Sequence, residues 1–131
     1  MTPERQLMFL KRCCEILVRI YSFMKADKEL VHIIQSMGNV DALNMKLALM
    51  YFIEITCESA FNDALLLNYS SNLITLFNKG FADPANEVQV ASFKTLTIFL
   101  STIQDEGSMK QFNPLLKNIL TKAIELIKFD Q

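Results

Sequence analysis

A chain of 131 residues, 51% hydrophobic and 21% charged, is long enough for one globular unit and too apolar for intrinsic disorder. Its formal net charge of -1 excludes the global basic field that draws proteins to nucleic acid or anionic membranes. Three Gly and three Pro leave too little turn chemistry for a compact β fold, so an all-helical chain is expected.

The opening, MTPERQ, carries an acid and leads into a charged amphipathic stretch, unlike a secretory signal. No run of about 18 uncharged apolar residues occurs, so the chain is expected to be soluble and intracellular, without membrane insertion. Pro3 to about Lys25 predicts a helix in which Leu7, Leu10, Cys14, Leu17, Val18 and Tyr21 recur at three and four. Asp27 is placed to cap a shorter helix, Lys28 to Met37, that presents Leu30, Val31, Ile33 and Ile34 and ends at Gly38. A third begins after Asn39 or Asp41 and runs to about Ser59. It carries Leu47, Ala48, Met50, Tyr51, Ile53, Ile55 and Cys57 on one broad surface and Glu54 and Glu58 on the other side. Asn62 and Asp63 are candidates to cap one extra turn holding Leu65, Leu66 and Leu67.

The stretch from Tyr69 to Ile103 reads as helix, tight turn, helix. Leu73, Ile74, Leu76 and Phe77 form an apolar face, with Ser70 or Ser71 as cap, Gly80 as the stop and Phe81 folding back on Leu76. Asp83 as N-cap and Pro84 at the first helical position then restart the chain. Val88, Ala91, Phe93, Leu96, Ile98, Phe99 and Leu100 follow on a wide face whose only charge is Lys94, so this helix is expected to be covered on much of its circumference. Asp105, Glu106, Gly107 and Ser108 read as a loop. The last helix starts either at Ser108, kinked by Pro114, or at Asn113 with Pro114 in first position, and continues through Leu115, Leu116, Ile119, Leu120, Ala123, Ile124 and Ile127.

The helices repeat at one offset of 43. Leu7, Met50 and Phe93 correspond in the long helices, as do Leu10, Ile53 and Leu96; Leu30, Leu73 and Leu116 correspond in the short ones, as do Ile33, Leu76 and Ile119. Two helices per period of about 40 to 47 residues is the signature of HEAT and armadillo arrays. The reading is an all-α, right-handed α-α superhelix of three pairs, at 3–38, 41–81 and 83–129.

The segments ALMYFIEITCES, NLITLFNKGFADPANEVQVASFKTLTIFL and QFNPLLKNILTKAIELI resemble the karyopherin-beta (importin-beta superfamily) nuclear transport receptors, most closely the importin beta-three branch. The resemblance covers most of Asn44 to Ile127. One departure concerns the ladder of regular HEAT repeats, in which a turn Asp is followed six residues later by a basic residue. Here Asp83 is followed by Gln89, and Lys46 is preceded by Val40, so the ladder reads as broken in both repeats.

The resemblance implies a fragment of a longer superhelix that shuttles between cytoplasm and nucleus through the pore. It implies partners of three kinds: cargo, the GTP form of the GTPase Ran, and Phe-Gly nucleoporins. The inner, second-helix face would bind through Asn72, Thr75, Asn78 and Lys79 of the middle pair and Lys117, Asn118, Thr121, Lys122 and Glu125 of the last. The plainer reading of these residues is a solvated helix face. The competing function is a HEAT-type scaffold unrelated to transport.

Catalytic chemistry has little to stand on. His32 sits between Val31 and Ile33 and is expected to be a half-buried helix residue. Cys13, Cys14 and Cys57 fit neither a disulfide framework nor a metal spacing and read as buried, inert thiols. Glu54 and Glu58 lack a second ligand pair, Asp105 and Glu106 lack an EF-hand pattern, and no glycine loop cradles phosphate. No catalysis, cofactor or metal is expected. Phe9, Leu10, Ile16 and Ile20 in the first helix, and Ile119, Ile124, Leu126 and Phe129 in the last, make both ends apolar on more than one side. Uncapped ends of this kind are expected to promote self-association.

Overall fold

The computed structural model describes residues 2–58, 69–103 and 106–129, apart from the side chains at 27 and 126–129. The described residues form an all-α arrangement of α1 (Pro3–Phe23), α2 (Asp27–Gly38), α3 (Leu43–Glu58), α4 (Ser70–Phe81), α5 (Asn86–Thr102), α6 (Glu106–Lys110) and α7 (Pro114–Phe129). α3 lies between α1 and α5. α2 folds back against α1 and α3, α4 against α5, and α7 against α4. The expected extra turn at Asn62 and Asp63 and the Asp105 loop position lie outside what is described. Asp27 is not the cap of α2: the helix already includes it, and the N-cap is Ala26, without a side-chain bond.

Place in the stack explains composition. α1 is covered from one side, so Leu7, Leu10, Leu17 and Tyr21 line the core around buried Cys14 and Val18, as the spacing predicts. α3 is covered from two sides and buries Ala48, Leu49, Met50, Phe52, Ile53 and Thr56, a wider set than one face supplies. α5 buries Val88, Leu96 and Phe99 together with Gln89, Ser92 and Thr95. Those polar groups have partners: Thr95 Oγ1 donates to Met50 O at 3.1 Å, and Ser92 Oγ donates to Val88 O at 2.7 Å. They were absent from the apolar face expected of this helix.

Helix ends depart most from expectation. Neither Gly38 nor Gly80 has positive φ, and both are helical. Gly80 therefore does not stop α4, which runs on to Phe81. A Cβ at Gly80 would lie 2.0 Å from Ser92 Oγ, so the glycine is required where α4 crosses α5. The left-handed position belongs instead to Lys25, at φ 54. It closes α1 with Lys25 N donating to Ser22 O and Ala26 N donating to Tyr21 O, the paired bonds of a Schellman end. At the start of α1, Thr2 Oγ1 accepts from Arg5 N at 3.2 Å, with Pro3 in first position. Neither Ser70 nor Ser71 caps α4: its N-cap is Tyr69, without a side-chain bond.

Asp83 does not cap α5 directly. Its Oδ1 accepts from Ala85 N at 2.9 Å, closing an Asx turn, and its carbonyl accepts from Gln89 Nε2 at 2.6 Å. The turn delays the helix to Asn86. Phe81 folds not onto Leu76 but onto Phe93, with stacked rings 4.4 Å apart. Beyond α5, the expected loop contains the single turn of α6, and α7 starts at Pro114, the second of the two expected starts. Between them Phe112 is buried edge-on against Phe99 at 5.0 Å, and Phe99 lies 6.2 Å from Phe77, so one aromatic column joins α4, α5 and the segment before α7. Among the described side chains of α7 only Leu115 is buried; Leu116, Leu120 and Ile124 are exposed.

Candidate protein-interaction face

α4 forms the central ridge of the layer that also holds α2 and α7, with a groove of mixed lining on each flank, Leu76 contributing to one and Phe81 to the other. The groove toward α2, about 260 Å³, is lined by Gln35, Asn39, Asn72, Thr75 and Lys79. The groove toward α7, about 270 Å³, is lined by Asn78, Asn118, Thr121, Lys122 and Glu125. Eight of the nine residues expected on the inner face thus divide between two neighbouring grooves, and exposed Lys117 stands outside both. The helical period accounts for this, because residues three and four apart share a face. Gln35 and Asn39 escaped notice, since nothing local in α2 says which neighbour it will lie beside.

Several of these side chains already have partners within the fold. Lys79 Nζ donates to Gly38 O at 3.1 Å, placing a cation at the carbonyl end of α2. Asn118 Nδ2 donates to Asn78 Oδ1 at 2.7 Å across the α4–α7 groove. Lys122 lies 3.5 Å from Glu125. Thr75 Oγ1 bonds back to Ser71 O. These bonds tie α4 to α2 and to α7, while Asn72, Lys117 and Thr121 have no side-chain bond among the described residues.

A third groove, about 460 Å³, lies between α1 and α3 and is lined by Glu4, Leu7, Met8, Lys11, Arg12, Glu15 and Tyr51. The Tyr51 hydroxyl donates to Glu15 Oε1, Arg12 Nη1 donates to Glu15 Oε2 at 3.0 Å, and Lys11 Nζ lies 5.1 Å from the centre of the Tyr51 ring. Bonding to Glu15 pushes the Tyr51 phenol up to about 12, while the same hydroxyl and Arg12 hold the Glu15 carboxyl below its usual range. Glu15 and Tyr51 are far apart in sequence, so only the register of α1 on α3 reveals the cluster.

The residues weighed for catalysis are dispersed. His32 is exposed rather than half-buried, because its position points away from α3 while Val31 and Ile34 on either side face the core. Cys14 is buried with its thiol pushed up to about 11 by burial, which removes the thiolate at neutral pH; Cys13 and Cys57 are only partly buried. Glu54 lies 3.7 Å from Lys94 and ties α3 to α5. Among the described residues no three His, Cys, Asp or Glu side chains converge as a metal site, and no helix is long and apolar enough to cross a membrane. No family model, curated protein or solved structure matches the chain.

Proposed function

We propose that this chain is a non-catalytic protein-binding segment of a HEAT-type nuclear transport receptor, acting in the cytoplasm and nucleus and binding protein partners along the α2–α4–α7 face. The observation that carries the binding reading is the pair of open grooves flanking α4, which together gather eight polar residues from two repeats beside Leu76 and Phe81. Open grooves of this kind suit an extended protein surface better than a small substrate, which is normally held in a deeper, mostly apolar cleft. The transport reading adds the sequence resemblance to the karyopherin-beta family. On it, cargo or GTP-bound Ran lies against this face and Phe-Gly nucleoporins contact the α1–α3–α5 layer.

The test is a pull-down of the purified chain against Ran loaded with GTP or GDP, beside a Phe-Gly repeat peptide. GTP-selective capture lost in Lys122→Glu, or saturable Phe-Gly binding, supports the reading. Capture of neither overturns it and leaves the scaffold reading, for which the Lys46–Asp83 pair between α3 and the turn before α5 is the favouring observation: it ties one repeat to the next whatever the array binds.

A further inference from the structure

The side of α1 turned away from α3 carries an apolar row at heptad spacing. Phe9, Ile16 and Phe23 are seven apart, with Ile20 beside them; Arg5 and Arg19 flank this row, while Arg12 between them is paired with Glu15 at the α1–α3 groove. Phe9 and Ile16 are each 58% exposed, Ile20 48% and Phe23 90%. Four large apolar groups in line on one helix form a contiguous patch rather than scattered surface residues. The acids of α1, Glu4 and Glu15, are not on this ridge: both line the groove between α1 and α3, where Glu15 meets Tyr51. Arg5 and Arg19 have no ion pair among the described residues.

We infer that this ridge is a docking surface for an acidic amphipathic helix of a partner protein, one with an apolar stripe flanked by carboxylates near its two ends. Two observations select that occupant. The layer already grows by laying one long helix on the next, α1 on α3 and α3 on α5, so a helix on the free side of α1 continues an existing mode of packing. Arg5 and Arg19, at the two ends of the apolar row, then ask for carboxylates on the occupant, and an arginine fork suits a carboxylate in geometry as well as charge.

A second copy of the chain meets this demand poorly. The other exposed apolar stripe, Leu116, Leu120 and Ile124 on α7, runs beside Lys117, and its nearby acid, Glu125, is turned to Lys122. A net charge of -1 works against an anionic lipid surface. The inference concerns α1 alone and does not depend on which partner the α2–α4–α7 face binds.

The test uses the whole chain and a fluorescein-labelled synthetic helix of about three heptads, with Leu in the stripe and Glu at the flanks, beside a twin with Lys in place of Glu. Saturable anisotropy with the Glu helix and none with the Lys helix is expected. Arg5→Glu with Arg19→Glu should weaken the affinity about tenfold, as should raising the salt well above physiological strength. Phe23→Ser should weaken it without moving the thermal midpoint, since that side chain is 90% exposed. Equal binding of the two helices, or of neither, overturns the inference. So does sedimentation as a dimer that Phe23→Ser dissolves, or capture by phosphatidylserine vesicles in preference to the Glu helix.

Discussion

Lys46 on α3 and Asp83 in the turn before α5 meet at 2.6 Å, although neither has its expected partner six residues away. Each repeat holds half of the acid–base motif, and the halves close on one another across the repeat boundary. Asp41 adds a second carboxylate 2.9 Å from the same ammonium, but from an exposed position; Asp83 is only 7% exposed. The rung that reads as broken within each repeat is therefore made between them.

Asp83→Asn should destabilise the chain by about 1–3 kcal/mol, since it weakens a charge-assisted bond and leaves Lys46 facing Asp41 alone. Urea unfolding followed by helical circular dichroism measures this. Unchanged stability would show that the pair contributes nothing beyond its desolvation cost.

The same carboxylate makes stability depend on pH. The Lys46 hydrogen bond holds the Asp83 carboxyl below its usual range, so the folded chain binds this proton less tightly than the unfolded one. Its contribution is complete above the ordinary carboxylate value near about pH 4 and is lost as pH falls below that toward the lowered folded value. Urea midpoints taken from neutral pH down to pH ~3 should fall less steeply for Asp83→Asn than for the parent chain. Parallel curves would contradict the assignment.

The two helical glycines should respond oppositely to alanine. At Gly80 a Cβ would meet Ser92 Oγ at 2.0 Å and Ser92 Cβ at 2.9 Å, both on a fixed neighbouring helix, so Gly80→Ala should cost about 1–3 kcal/mol and Ser92→Gly should partly rescue it. At Gly38 the close contact is Leu76 Cδ2 at 2.8 Å, the far end of a side chain that can turn aside. There the helix preference of alanine, about 0.5–1 kcal/mol, should make the change neutral or stabilising. Thermal midpoints of the three variants decide both cases.

Lys25 holds a left-handed conformation that costs most side chains about 1 kcal/mol. Lys25→Gly should recover part of this and raise the urea midpoint slightly, whereas Lys25→Val should lower it. A lower midpoint for the glycine variant would mean that the freedom gained by the unfolded chain outweighs the relieved strain.

Phe112→Ala should cost about 3–5 kcal/mol, out of proportion to a residue in a short connection, because the ring closes the aromatic column through Phe99 to Phe77. Hydrogen exchange should show α7 losing protection before α3 does. Equal loss in the two helices would mean that the column stabilises the whole stack rather than fastening its last helix.

What was legible in the sequence follows from what a local pattern can encode. Apolar residues at three and four set the order of the long helices, and the core of α1 came out residue by residue because that helix is covered from one side only. Helical period likewise decides which polar residues of one helix lie together, as Asn118, Thr121, Lys122 and Glu125 do on α7.

The rest was decided by tertiary structure, because it depends on which helix lies against which and at what register. α3 and α5 are covered from two sides, so Phe52, Ser92 and Thr95 are buried where a one-sided face leaves them out. Gly80 looked like a stop and proved to be a crossing point, since only the approach of α5 requires a missing side chain there. Lys46 and Asp83 are distant in sequence, and no spacing within either repeat pairs them. Sequence alone determined that this chain forms helices in repeating pairs, because that follows from local periodicity. The contacts that join one pair to the next arise only once the helices are stacked.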